Sequence, residues 1–116
     1  MELGTMVKIE AIVRCERFPE VKDALAAAGF QSLTAYNVKG RGKQLGHELN
    51  FRGRTHRVDL LPKIKVELVV DNADLERVEV IREKAYTGEI GDGKVFVFPV
   101  ADVIRVRTFE RGREAV

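Results

Sequence analysis

The spacing of apolar residues changes from strand to helix early in the chain, and this change most constrains the fold. Residues 7–14 alternate between apolar and polar side chains, with Ile12 as the exception, which predicts a central strand. Helical spacing of three and four residues follows at Val21, Ala24, Leu25 and Ala28. Pro19 suits a first helical turn and Gly29 a left-handed helix end, so a helix is predicted over residues 19–28.

The same order of patterns recurs later in the chain. Residues 34–38 read as a second strand and residues 63–70 as a third, with one face formed by Ile64, Val66, Leu68 and Val70. Asp71 or Asn72 can cap a second helix, whose buried stripe is Leu75, Val78, Ile81 and Ala85. A fourth strand is predicted over residues 95–98, ended by Pro99.

Two β-α-β halves in this order predict an α+β fold of the ferredoxin-like class, with both helices on one face of a sheet. The 116 residues fit a single domain, residues 1–116. Because many unrelated functions use this fold, it does not decide activity.

Composition indicates which classes of partner and which cellular compartment to expect. Twenty basic and eighteen acidic side chains leave a charge of +2, so no nucleic acid partner is expected. No apolar run approaches the roughly 20 residues of a membrane helix, and Glu2 stands where a signal peptide would be basic. The single cysteine, Cys15, is expected to be a packing residue, and the absence of a second one favours the cytoplasm.

More than twenty residues separate the second and third predicted strands, and they contain glycines and basic side chains without sustained periodicity. A connection of this length in a compact domain is usually functional or disordered. We therefore expect a mobile loop that contacts a partner.

A glycine-rich stretch, residues 86–94, precedes the last strand. Gly91 and Gly93 can turn backbone N–H groups toward an anion, and Lys94 brings a cation to the same place, which favours phosphate binding. The alternative is an ordinary turn, because Gly-Asp-Gly also serves to reach positive φ.

Arg105 and Arg107 are two apart on a segment expected to be extended, so both guanidinium groups would point to one side while Ile104 and Val106 pack on the other. Together with Lys94 they would form a polyphosphate clamp. The alternative is a half-exposed strand with two solvated charges.

Common catalytic and nucleotide motifs are missing. No P-loop or Rossmann fingerprint occurs, and no nucleophile, base and orienting group can be assembled. His47 and His56 have no partner ligands at zinc spacing.

Four motifs, at residues 39–47, 62–67, 86–97 and 103–108, occur in an order and spacing that resembles the PII signal-transduction proteins from about Met6 to Thr108. The resemblance implies a homotrimeric sensor, not an enzyme, with ATP or ADP bound between neighbouring subunits. It also implies three named loops: a T-loop at about 40–58, a B-loop at about 86–94 and a C-terminal loop at about 101–116.

The resemblance further implies which residues bind ligands. Nucleotide would be bound by Thr34, Gly40, Gly42, Lys43, Gln44, Glu67, Thr87, Gly91, Asp92, Gly93, Lys94, Arg105 and Arg107. Gln44 would also ligate Mg²⁺ together with ATP and 2-oxoglutarate, and the keto acid would further contact Gly46 and Lys63. An ammonium transporter or a metabolic enzyme would be contacted by the T-loop residues Phe51, Arg52, Gly53 and Arg54.

The chain departs from its relatives in the T-loop. Arg54 and His56 stand where relatives carry a modifiable serine or tyrosine, and Phe51 replaces another tyrosine, so ligand occupancy alone would signal. Residues 1–5 precede the usual start. Two other functions stay open: an RNA-binding module using Phe96 and Phe98, and a small nucleotide hydrolase using Asp92 or Glu67 as its base.

Overall fold

The computed structural model describes residues 5–41, 47–51, 54–58 and 60–116, and of residues 47–51 and 54–58 it describes the backbone alone. Its strands are β1 (Met6–Arg14), β2 (Thr34–Gly40), β3 (His47–Phe51), β4 (Arg54–Val58), β5 (Leu61–Asp71) and β6 (Gly93–Val100). Its α-helices are α1 (Phe18–Ala27) and α2 (Val80–Ala85), and 3₁₀ segments cover Cys15–Arg17, Asn72–Glu79 and Gly112–Ala115. None of the described helices is long and apolar enough to cross a membrane.

Four strands form an antiparallel sheet in the order β2-β5-β1-β6, and both helices lie on one face, so the predicted ferredoxin-like class is confirmed. β1 is central, as its alternating pattern predicts. The register sets Ile9 opposite Leu68 on one side and Val97 on the other. Apolar residues of alternate positions therefore meet the helices on a single face.

The core between sheet and helices consists of the predicted stripes. Buried there are Val7, Ile9, Ala11, Val13, Val21, Leu25, Val66, Leu68, Val70, Val78, Ile81 and Ala85. Ile64 and Leu75 pack against it half-buried. The periodicities thus identified the buried faces of β1, β5 and the two helical segments.

Helix α1 begins and ends one residue before its predicted bounds, and Gly29 closes it as expected. Gly29 has φ +98°, and the Phe30 N–H donates to the Leu25 carbonyl at 2.8 Å, which closes the helix end. The expectation that Cys15 is a packing residue is wrong. It lies exposed in the 3₁₀ turn before α1, because β1 stops at Arg14 and the chain there has left the core.

The second helical segment is only partly α-helical. Asp71, rather than Asn72, is the cap, and its side chain accepts from the Ala73 N–H at 3.0 Å. The first eight residues are a 3₁₀ segment and only Val80–Ala85 is α-helical. Asn72 and Asp74 favour such tight turns because their short polar side chains compete for backbone N–H groups.

Pro99 does not end the last strand, contrary to the prediction. β6 runs to Val100, and Pro99 pairs with Val7. β6 lies at the edge of the sheet, where a residue whose nitrogen faces solvent removes no ladder hydrogen bond.

The segment expected to be a loop contains a hairpin. β3 and β4 pair antiparallel, with Phe51 opposite Arg54, and form a two-stranded sheet of their own. Antiparallel pairing can form through backbone hydrogen bonds without an apolar stripe, so the sequence did not predict it. The T-loop residues 42–46 and 52–53, and residue 59 after the loop, lie outside the described residues.

The C-terminal residues, expected to include an extended segment, form a small hairpin. Ile104 bridges Arg111, and Phe109 turns the chain at φ +64°. The expectation that Ile104 and Val106 pack is wrong for the single chain, since they are 57% and 90% exposed. The turn carries them away from the sheet.

Candidate functional site

The predicted cationic ligands Lys63 and Lys94 lie at one end of the sheet, and the segment with Arg105 and Arg107 follows its opposite end. In the β1–β6 register Lys94 is opposite Ile12, whereas Val100 is opposite Met6. Six residues of strand span about 20 Å. We call the end with Arg14, Lys63 and residues 86–94 the loop end, and the end with Asp71 and residues 101–116 the tail end.

At the loop end, one carboxylate organises the B-loop. Asp92 accepts from the Thr87 N–H at 2.8 Å, the Gly88 N–H at 2.9 Å and the Thr87 hydroxyl, and Arg14 Nε donates to it at 3.0 Å. Asp92 and Thr87, predicted as nucleotide ligands, therefore shape the loop from within.

These contacts also fix the charge of Asp92. Burial by itself raises its pKa, but the hydrogen bonds from Thr87, Arg14 and Gly88 outweigh it and hold the pKa well below its usual range. A carboxylate that binds protons so weakly is a poor general base. This weakens the hydrolase alternative, which requires Asp92 or Glu67 as the base.

Two cations hold the backbone of the same loop. Arg14 Nη2 donates to the Ile90 carbonyl at 2.7 Å, and Lys63 Nζ donates to the Gly91 carbonyl. Lys63 is only 9% exposed, and its burial, followed by the nearby Arg14 charge, lowers its pKa. Sequence reasoning missed Arg14, because no local pattern shows that its side chain reaches the loop before β6.

The glycines of the loop adopt the conformations that the sequence predicts. Gly91 and Gly93 have φ of +98° and +105°. A Cβ on Gly93 would lie 1.8 Å from the Ile12 carbonyl oxygen, so the loop passes directly against the central strand. Lys94 follows, exposed, and its side chain makes no hydrogen bond or ion pair with the described residues.

At the tail end, acidic groups hold the C-terminal hairpin. Asp102 accepts from Arg111 and from the Val103 and Gly112 N–H groups at 2.8 and 3.1 Å. The Arg111 hydrogen bond, followed by these N–H groups, holds the pKa of Asp102 below its usual range against burial. Arg113 pairs with Asp71 at 2.8 Å. The hairpin is thus tied to the end of β5.

The two predicted clamp arginines differ in their surroundings. Arg105 Nη1 lies 3.4 Å from Glu110 Oε1, and Arg105 Nη2 lies 3.4 Å from the Val116 carbonyl oxygen. Arg107 is exposed and has no partner among the described residues. Both are at the tail end, so they do not converge with Lys94 of their own chain.

The structure describes only some of the remaining residues that were predicted to bind ligands. Thr34 lies opposite Glu67 in the β2–β5 pairing, and Gly40 ends β2 opposite Leu61. Of the other candidates, Gly42, Lys43, Gln44, Gly46, Arg52 and Gly53 lie outside the described residues.

The sheet face away from the helices carries an alternating charge network. Lys8 lies 3.3 Å from Glu67 and 3.4 Å from Glu10, and Lys65 lies 3.3 Å from Glu10. The Tyr36 hydrogen bond, followed by Lys8, lowers the pKa of Glu67 against burial. Like Asp92, Glu67 is therefore a poor candidate for the base of a hydrolase.

Two aromatic rings lie beside this network. The Phe96 and Phe98 rings are 6.5 Å apart, and Lys8 Nζ is 5.2 Å from the centre of the Phe98 ring. They are the side chains on which the RNA-binding alternative depends.

The fold and the loop end define a ferredoxin-like α+β protein with a glycine loop braced by cations, a class suited to anionic ligands. The sequence model of "Nitrogen regulatory protein P-II" matches residues 6–110. The chain belongs to this PII family of nitrogen-regulatory signalling proteins, as its motifs predict.

Relatives match along nearly their whole length. Nitrogen regulatory protein P-II 1 of Methanothermobacter thermautotrophicus is 54% identical over 115 residues, covering 98% of this chain and all of the relative. The Rhodospirillum rubrum P-II protein is 48% identical, with coverage of 96% and 100%. The Arabidopsis thaliana PII structure bound to citrate superposes with a TM-score of 0.80 at 42% identity, covering 97% of this chain and 94% of that one.

Proposed function

We propose that the protein is a homotrimeric sensor that binds ATP or ADP between two copies of the chain and signals through its T-loop. The observation that carries this proposal is the separation of the cations, with Lys94 at the loop end and Arg105 and Arg107 at the tail end. A polyphosphate can meet all three only if the loop end of one copy faces the tail end of another.

Exposed apolar surface supports assembly. β6 is an edge strand. Four of its apolar residues, on both faces of the sheet, are each 41% exposed: Val95, Phe96, Val97 and Phe98. Phe109 at the tail end is 80% exposed. An apolar edge strand left open invites pairing with other chains, and a closed ring of copies removes that edge.

In the proposed site each copy supplies a different part. Gly91, Gly93 and Lys94 of one copy would receive the phosphates, with Gly40, Gly42, Lys43 and Gln44 at the base of its T-loop. Arg105 and Arg107 of the neighbour would complete the clamp, with Thr34 and Glu67 near the base and ribose. Thr87 and Asp92 would keep the B-loop in its receptive shape.

A second effector, 2-oxoglutarate, is proposed beside the phosphates. Lys63 supports it, because among the described residues this nearly buried cation donates only to the Gly91 carbonyl, and Arg14 lies beside it. A carboxylate would be a stronger partner than a carbonyl. The Arabidopsis relative is bound to citrate, itself a polycarboxylate.

Mg²⁺ would link the two effectors. The described residues contain no group of three acidic, histidine or cysteine side chains that could hold a metal. Mg²⁺ binds through few protein ligands plus phosphate oxygens, so Gln44 would suffice if ATP and the keto acid supply the rest. The metal would make the two ligands cooperative.

Isothermal titration with ATP, ADP and 2-oxoglutarate, alone and combined, tests the proposal. We expect 2-oxoglutarate to bind only with ATP and Mg²⁺, and Lys63→Ala to lose at least about tenfold in keto-acid affinity, since one charge-assisted contact is worth about 1.5–3 kcal/mol. Lys22→Ala, an exposed lysine of α1, is the matched control. Equal keto-acid binding with ADP or with EDTA would refute the coupling.

The output would be a partner protein, an ammonium transporter or a metabolic enzyme, contacted by Phe51, Arg52, Gly53 and Arg54 in the cytoplasm. A loop tied through Gln44 to Mg²⁺ and 2-oxoglutarate cannot also extend into a partner, so ligands would choose its shape. This scheme does not require the modifiable tyrosine or serine that relatives carry in the T-loop.

Capture from membranes and soluble extract tests the partner. We expect wild-type protein to retain a transporter or enzyme with ADP and to release it with ATP, Mg²⁺ and 2-oxoglutarate. Arg52→Ala should fail to retain it, whereas Lys22→Ala should behave as wild type. Retention that survives the Arg52 substitution and ignores the ligands would contradict the proposed signalling.

A further inference from the structure

The C-terminal hairpin places one carboxylate directly against a proposed phosphate ligand. The Arg105 N–H donates to the Glu110 carbonyl at 2.9 Å, and the Phe109 N–H donates to the Arg105 carbonyl at 2.8 Å. These two bonds close the turn, so Glu110 lies across from Arg105. The Thr108 hydroxyl donates to Glu110 Oε1 at 2.7 Å and sets the direction of the carboxylate.

The Arg105 guanidinium has two contacts within the hairpin and remains partly exposed to solvent. Nη1 faces Glu110 Oε1 and Nη2 faces the Val116 carbonyl oxygen, both at 3.4 Å, while the side chain stays 40% exposed. A guanidinium has five donors in a rigid fork, so two loose contacts leave donors for a ligand.

We propose that Glu110 is a positioning residue that holds the Arg105 fork ready for a nucleotide phosphate. The inference rests on the proposed function and adds to it a residue that the resemblance does not assign. A free arginine loses much side-chain freedom when it binds, and an arginine already anchored loses less.

The anchor is itself fixed to the fold. Asp102 holds Arg111 and the Gly112 N–H, and Arg113 pairs with Asp71 at the end of β5. Glu110 lies between these fixed points and the turn at Phe109. Its carboxylate therefore stays beside Arg105 rather than moving with a free tail.

The Glu110→Gln variant distinguishes a positioning role from a simple charge effect, because the two would change ATP affinity in opposite directions. Removing a negative charge near a polyphosphate strengthens binding, whereas loosening Arg105 weakens it. We expect Glu110→Gln to bind ATP about fivefold to tenfold more weakly. Glu114→Gln, which removes the same charge from the same tail without touching Arg105, should bind ATP as tightly as wild type or more tightly.

A double-mutant cycle shows whether Glu110 acts through Arg105. In an Arg105→Ala background, titrated at higher protein concentration, the loss of ATP affinity caused by Glu110→Gln should vanish or become a slight gain, whereas the loss should persist in an Arg107→Ala background. Thermal unfolding of each variant verifies folding.

Three results would overturn the inference. They are unchanged or tighter ATP binding by Glu110→Gln, an equal loss in the Arg105→Ala background, and an equal loss for Glu114→Gln. Failure of the wild-type protein to bind ATP would instead refute the proposed function, and with it any role for Glu110 in binding nucleotide.

Discussion

Replacing both Arg105 and Arg107 with alanine is expected to remove most ATP and ADP binding. Each charge-assisted contact to phosphate is worth about 1.5–3 kcal/mol, so losing both should weaken binding by a factor of about 100 or more. Isothermal titration measures the loss. Lys22→Ala with Lys84→Ala, two exposed lysines on the helices, removes the same charge and should leave affinity nearly unchanged.

The same variant can test whether the site lies between copies. Lys94→Ala and the double arginine variant should each bind poorly, yet co-refolded mixtures should regain tight sites. In a mixed trimer, the arginine variant can supply Lys94 and the neighbouring Lys94→Ala copy can supply both arginines. With equal amounts mixed at random, about one quarter of the sites combine the copies in this way. Unchanged affinity in the double variant would exclude this site, and mixtures without recovery would exclude its division between copies.

Gly93→Ala is expected to be among the most destabilising single substitutions in the chain. The new Cβ would lie 1.8 Å from the Ile12 carbonyl oxygen and 2.9 Å from its carbon, at φ +105°. Those atoms belong to the backbone of the central strand and cannot yield as a side-chain end could. Steric overlap and left-handed strain together should cost about 3 kcal/mol or more.

Urea unfolding measures the loss, with Gly40→Ala as its control. Gly40 is also in a strand, has no positive φ, and a Cβ there meets no atom within 4 Å. Its substitution should change the free energy of unfolding by less than about 0.5 kcal/mol. A Gly93→Ala protein as stable as the Gly40→Ala control would mean that β6 does not pass β1 this closely.

Local sequence patterns predicted the backbone conformation well at positions where the residue type itself dictates the conformation. Positive φ at Gly29, Gly91 and Gly93 follows from glycine in turns, and the Asp71 cap follows from a short carboxylate before a helical stripe. They did not reveal Arg14, because nothing along the chain shows that its side chain reaches residues 90 and 92.

The sequence by itself determined the class of fold, since strand and helix periods dictate which faces are buried and in what order the elements follow. It also determined the membership of the PII family through motifs spread along the chain. Distances across the sheet were decided only by the tertiary structure. The pairing of Lys94 with Ile12 and of Val100 with Met6, which no single segment encodes, sets Lys94 at one end of the sheet and the segment that follows Val100 at the other. Turn geometry likewise brought Glu110 to Arg105 and left Val106 in solvent.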